Sequence, residues 1–201
     1  VALLLQLALV FSGASVLAET EGPDLGVRLA RFIAYFTIQS NLLVLVSAVV
    51  LARDTLADGP WWRAVRLAGV MGITVTGLVH FFLLRPLLDL EGASLVADRL
   101  LHLAVPLLAV VGWLVFGPRD RIDRRALLVA FLWPVAWLAV TLTVEAVTGW
   151  YPYPFLDVAA SGWSGVAMTC AGIAALVIGC LAALTLVDRR LGRRGALSLE
   201  S

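Results

Sequence analysis

The sequence predicts an all-helical membrane protein, a single domain made of a bundle of six transmembrane helices, and three observations carry that expectation. Hydrophobic residues make up 61% of the 201 and charged residues only 14%, against roughly 25% in an ordinary soluble domain. Mean hydropathy is +0.97, and no water-soluble fold of this length hides so much apolar surface. The apolar residues also fall in continuous runs close to the roughly 20 residues that a helix needs to cross a bilayer. Outer-membrane strands are excluded, because these runs do not alternate and are about twice a strand's length.

The expected spans are 1–18, 32–52, 64–84, 100–117, 126–147 and 163–187, followed by a short tail over 188–201. The first, VALLLQLALVFSGASVLA, also has the look of a signal-peptide core ending at Ala18, but it lacks a basic leading region and a retained helix is expected. The second carries Thr37, Ser40 and Asn41 at spacing i, i+3, i+4 on one stripe, with Tyr35 and Gln39 on nearly the opposite side. Polarity on both sides predicts a central helix, with Thr37 about 7–8 Å below its outer end. The third span has Gly69, Gly72 and Thr76 for close packing, and His80 one turn beyond Thr76. The fourth is expected to hold His102 in its first turn and a kink at Pro106 that frees the His102 carbonyl.

The fifth span contains Pro134 and a stripe of Thr141, Glu145 and Thr148, and it leads into the loop WYPYPFLD over 150–157. On the sixth, Gly165, Gly172 and Gly179 recur every seven residues, which predicts a face where a neighbouring backbone comes close. Cys170 and Cys180 share that helix about 15 Å apart along its axis, too far for a disulfide, and are read as packing residues.

Arginine placement sets the expected orientation, since basic residues in short loops stay cytoplasmic. All 15 basic residues are arginine, as in proteins from GC-rich bacterial genomes. Arg53, Arg63, Arg66, Arg119, Arg121, Arg124, Arg125, Arg189, Arg190, Arg193 and Arg194 fall on one side, against Arg28, Arg31, Arg85 and Arg99 on the other. Both termini are therefore expected in the cytoplasm of a multi-pass cell-membrane protein. These clusters read as topology signals and not as a nucleic-acid site.

Polar side chains are costly in a bilayer and tend to face the bundle interior, so their depth points to function. Thr37, Ser40, Asn41, Thr76, His80, His102, Thr141, Glu145, Tyr153 and Asp157 converge on the outer half of the bundle. Individually each has a plain reading: a hydroxyl bonding a carbonyl one turn back, an interfacial histidine, an aromatic belt. Together they suit chemistry. A threonine hydroxyl becomes a nucleophile when a base takes its proton, and histidine does this best near neutral pH. Thr37 and His102 have similar expected depth on different helices, Asn41 is placed to polarise an ester carbonyl, and Glu145 or Asp157 to orient the imidazole.

The run Phe36, Thr37, Ile38, Gln39, Ser40, Asn41, then His102 with Pro106, then PYPFLD at 152–157, resembles the androgen-induced and androgen-dependent-TFPI-regulating protein family and its bacterial six-span relatives. That resemblance implies a membrane hydrolase with Thr37 as nucleophile and His102 as base, acting on fatty-acid esters of hydroxy fatty acids or similar lipid esters, with no cofactor and no metal. The expected partners are the lipid substrate and membrane lipids, and a homo-oligomer is compatible with the reading.

Three alternatives remain at the level of sequence. A solute or lipid transporter or a structural membrane protein would use the same polar cavity, although no charged residue falls near a span's midpoint as a coupling site. His80 and His102 on adjacent helices would ligate a haem in an electron carrier. Gly162, Trp163, Ser164 and Gly165 have the GxSG form of rhomboid proteases, but no histidine follows Ser164.

Overall fold

The computed structural model describes residues 1–13 and 24–197, with side chains up to residue 192. Among the described residues the secondary structure is entirely helical, and five helices are long and apolar enough to cross a membrane. The shorter α1 (Ala2–Phe11) has ten residues and ends at Ser12 and Gly13, where Gly13 adopts φ +79°. It spans about 15 Å, half the thickness of a hydrocarbon core. The expected span 1–18 is thus seen only in its first part, and Ala18 lies outside the described residues.

The second expected span is broken in two. Helix α2 (Leu25–Ala34) starts on Asp24, whose Oδ1 accepts the Val27 N–H at 3.0 Å, and stops at Tyr35, which is extended with ψ 127°. Helix α3 (Phe36–Arg53) then starts afresh. A helix end inside a protein needs partners for its freed carbonyls. Trp137 Nε1 donates to the Ala34 carbonyl at 2.8 Å, and Gln39 Nε2 to that of Ile33 at 3.1 Å. Thr37 therefore sits in the first turn of a new helix and not partway down a continuous one.

Helix α4 (Pro60–Val79) continues through a π turn (His80–Leu84) and a 3-10 turn (Arg85–Leu87). Helix α5 (Gly92–Arg99) runs through a second π turn (Leu100–Ala104) into α6 (Val105–Phe116). Pro86 and Pro106 each follow the end of a π turn by two residues. A proline ring collides with the carbonyl four residues earlier, and the wider turn relieves that collision. The helical run that holds the expected fourth span starts at Gly92, not at 100, because Asp98 turns inward and does not end the helix. His102 accordingly lies well inside the run Gly92–Phe116 and not in its first turn.

Helix α7 (Arg124–Thr148) passes through Pro134 without a break in its assignment, and α8 (Val158–Leu197), interrupted at Gly162 with φ +67°, continues beyond the expected end at 187 into the tail.

Helix α4 is central, in place of the α3 expected from its two-sided polarity, and packs against α3, α6, α7 and α8. Small residues explain this. A Cβ on Gly72 would lie 2.5 Å from the Trp133 ring, and one on Gly77 would lie 3.3 Å from both the His102 carbonyl oxygen and Pro106 Cβ. The core runs from Ala64, Met71 and Val75 on α4 to Ala126 and Ala130 on α7 and Val177 and Leu181 on α8. Because α8 turns Val177 and Leu181 inward, its glycine stripe faces no neighbouring helix among the described residues. There a Cβ at Gly172 or Gly179 meets nothing within 4 Å, and one at Gly165 meets only Ser161. Cys170 and Cys180 are free thiols, partly buried.

The start of α4 holds an ion-pair cluster. Arg63 binds Asp58 at 2.6 Å and Asp123 at 3.3 Å, and Arg121 also pairs with Asp58. Asp188, 2% exposed, accepts the backbone N–H groups of Arg121 and Ile122 at 3.1 and 3.3 Å. The 20 residues of α4 separate this arginine end from His80 by about 30 Å.

Candidate active site

At the other end of α4 a line of polar side chains runs through three elements. Thr37 Oγ1 lies 3.2 Å from His102 Nε2. The Nδ1 of His102 lies 3.0 Å from Asp98 Oδ1 and 3.1 Å from the Asp98 carbonyl. Both Asp98 oxygens can only accept when the carboxylate is ionised, so Nδ1 carries the ring proton and Nε2 offers its lone pair to the Thr37 hydroxyl. Tyr153 completes the line: its OH is 3.3 Å from Thr37 Oγ1 and accepts the Thr37 N–H at 3.3 Å. Thr37 is 6% exposed and Tyr153 8%, so the line is shielded from bulk water.

Local sequence explains each placement. The break at Tyr35 puts the Thr37 amide among the N–H groups that have no partner within their own helix, where the helix dipole favours developing negative charge. Asp98 and His102 are four apart on one helix and so share a face. The 150–157 loop is anchored at both ends: Glu145 Oε1 accepts the Val158 N–H at 3.0 Å, and Asp157 accepts the Tyr151 hydroxyl at 2.7 Å and the Ala160 N–H at 3.0 Å. The Tyr151 hydrogen bond and the Ala160 and Ala159 amides hold the Asp157 carboxyl below its usual range, while the carboxylate raises the Tyr151 phenol. Burial pushes Tyr153 up to about 12, with its hydrogen bonds to Thr37 acting in the opposite sense. Its hydroxyl therefore remains a donor at any ordinary pH.

Thr37 and Tyr153 line two cavities. One, of about 200 Å³, is bordered by Gln6, Arg28, His80, Asp98, His102 and Trp150. The second, of about 110 Å³, is almost wholly apolar and lies among Phe36, Val79, Phe131, Trp137, Leu138 and Ile173.

Of the expected site residues, Thr37, His102, His80 and Tyr153 come together. His80 stacks on His102 with ring centroids 3.9 Å apart and planes 10° from parallel, and its Nε2 lies 3.3 Å from Asp98 Oδ1. That spacing leaves no room for a porphyrin between the rings. Asn41 is committed to the carbonyls of Thr37 (2.8 Å) and Leu101 (3.4 Å), so it ties α3 to the π turn and is not free to polarise a substrate. Ser40 donates to the Phe36 carbonyl at 2.8 Å and accepts from Thr76 Oγ1 at 3.2 Å, away from the histidines. Glu145 and Asp157 brace the loop, and neither orients the imidazole. Asp98 does that. It escaped the sequence reading because it fell in a presumed loop, although its i, i+4 spacing to His102 was a usable signal. Ser164 is exposed on α8.

No family model, curated protein or solved structure matches the chain.

Proposed function

We propose that the chain is an integral membrane hydrolase that cleaves lipid esters, with Thr37 as nucleophile, His102 as general base and Asp98 as the residue that orients it. The observation that carries the reading is the line from Thr37 Oγ1 through His102 to Asp98, with contacts of 3.2 and 3.0 Å. It has the acid–base–nucleophile logic of acyl-transfer sites in general.

In the first step His102 Nε2 takes the Thr37 hydroxyl proton while Oγ1 bonds to the ester carbonyl carbon. The Tyr153 hydroxyl, polarised by the Thr37 N–H that it accepts, donates to the resulting oxyanion. Collapse breaks the bond to the alcohol, which leaves with the proton from His102, and the acyl group stays on Thr37. A water that gives its proton to His102 then attacks the acyl carbon; the Thr37 Oγ1–acyl bond breaks, the acid is released, and His102 returns the proton to Oγ1. The apolar cavity suits a hydrocarbon arm, and the larger cavity the polar part of the ester. The resemblance of the Thr37 motif and PYPFLD loop to the six-span threonine hydrolases supports the same reading, with fatty-acid esters of hydroxy fatty acids as the reference substrates.

We read the chain as crossing the cell membrane six times, α1 belonging to the first crossing, with both termini cytoplasmic and the site in the outer leaflet. The arginine distribution supports this orientation. A transporter fits less well, because the fully buried packing of Ala64, Met71, Ala126 and Ala130 lies between the site and the arginine end. The test is covalent labelling of purified protein by a fluorophosphonate probe, together with ester hydrolysis, in wild type, Thr37→Ala and His102→Ala. Labelling that survives in Thr37→Ala overturns the nucleophile assignment.

A further inference from the structure

The second histidine is not needed for the proposed hydrolysis. His80 is 6% exposed, begins a π turn, and has a buried Nδ1 with no hydrogen-bond partner among the described residues. One ring nitrogen of His80, one of His102 and a carboxylate oxygen of Asp98 all lie within 4.8 Å of one another. The distances from Asp98 Oδ1 to His80 Nε2 and to His102 Nδ1 are 3.3 and 3.0 Å. Tetrahedral zinc, with bonds of about 2.0–2.1 Å, separates its ligand atoms by roughly 3.3 Å. Two imidazoles and one carboxylate are a donor set typical of zinc with a fourth position open. All three side chains border the larger cavity, which supplies a route in and space for a fourth ligand.

We propose that His80, Asp98 and His102 form a binding site for a zinc-like divalent ion, and that its occupancy switches the hydrolase off. This inference rests on the assignment of His102 as the base. An ion can lie in the plane of only one of two parallel rings stacked 3.9 Å apart, so loading requires the His80 ring to turn. Turning gives up its contact with Asp98, which the ion replaces, and its Nδ1 has no partner to lose. With the ion on His102 Nδ1, the one proton of the neutral ring must sit on Nε2. Nε2 then donates to Thr37 Oγ1 and cannot accept its proton. The sequence offered the two histidines as a ligand pair but not the carboxylate between them, and the three residues are 18 and 4 apart on two separate helical runs.

The experiment uses zinc as probe and metal-stripped full-length protein in detergent. Bound zinc is measured directly, and fluorophosphonate labelling of Thr37 is measured in parallel, for wild type and His80→Phe, which keeps the stacked ring without a ligand atom. Size-exclusion and thermal melting establish that the variant is folded. The expected result is one zinc per wild-type chain and a fall in labelling that follows zinc occupancy. His80→Phe should bind zinc more than 100-fold more weakly, since outer partners of ligands alone are worth about 10–100-fold. Its labelling, at whatever level, should not respond to zinc. No saturable zinc binding, or equal binding in His80→Phe, overturns the site. Labelling that rises with zinc overturns the off-switch in favour of a metal-dependent hydrolase. If zinc binds through His80 but Thr37 is never labelled, the metal site stands and the threonine hydrolase reading fails.

Discussion

The two ends of the bundle each bury a carboxylate, and they use it differently. At the arginine end Asp188 accepts two backbone N–H groups, of Arg121 and Ile122, donors that cannot leave. At the site end Asp98 accepts from two imidazoles, whose protons can move, and it borders a cavity. A carboxylate held by main-chain donors pins one helix to the start of another. One held by histidines sets which ring nitrogen is free to act. Sequence alone makes both look alike, as a single acid directly before arginine at the edge of an apolar run.

That contrast breaks most plainly at Thr37. Thr37→Ala should abolish fluorophosphonate labelling and ester hydrolysis in protein that still folds and melts cooperatively. Asp98→Asn should lower the labelling rate about 10²–10⁴-fold, the range of general-base catalysis, because an amide no longer imposes the Nδ1-protonated tautomer. Equal rates in Asp98→Asn and wild type would make Asp98 no different in kind from Asp188. Tyr153→Phe should cost about 10²-fold, the loss of one oxyanion donor. Because burial holds Tyr153 neutral up to about 12, a raised pKa that favours the donor form, wild-type labelling should show no alkaline loss from this residue below that pH.

Mutations at the arginine end should behave in the opposite way. Asp188→Ala leaves two amides without their acceptor and should lower stability by about 1–3 kcal/mol, read as an earlier thermal midpoint in detergent, while labelling of the folded fraction is unchanged. The smallest effect belongs to the glycines of α8. Gly172→Ala should stay within about 0.5 kcal/mol of wild type by the same melt. Gly72→Ala, facing Trp133 at 2.5 Å from its Cβ, should cost about 1–3 kcal/mol by overpacking.

Much of the bundle was legible because a span is a local property: a run of apolar residues of sufficient length. The runs 126–147 and α7 agree closely at both ends. The Thr37–His102 pairing was legible from depth, since both are polar residues that a bilayer forces inward. Other features were not. The break at Tyr35 depends on Trp137 and Gln39 reaching the carbonyls it frees, and Trp137 is about a hundred residues away in the chain. Asp98 lies outside the expected span 100–117, and only its two imidazole neighbours show that the helix begins before it.

By itself, then, the sequence determined the helical class, the long apolar segments, the crowding of arginine at one end and the polar residues that would have to face inward. Burial preference and helix length are properties of each segment alone. Tertiary structure decided which helix is central, where α3 begins, and that Asp98 and not Glu145 or Asp157 holds His102. Those are pairwise matters. A buried donor or acceptor is stable only with its partner, and the partner lies on another helix.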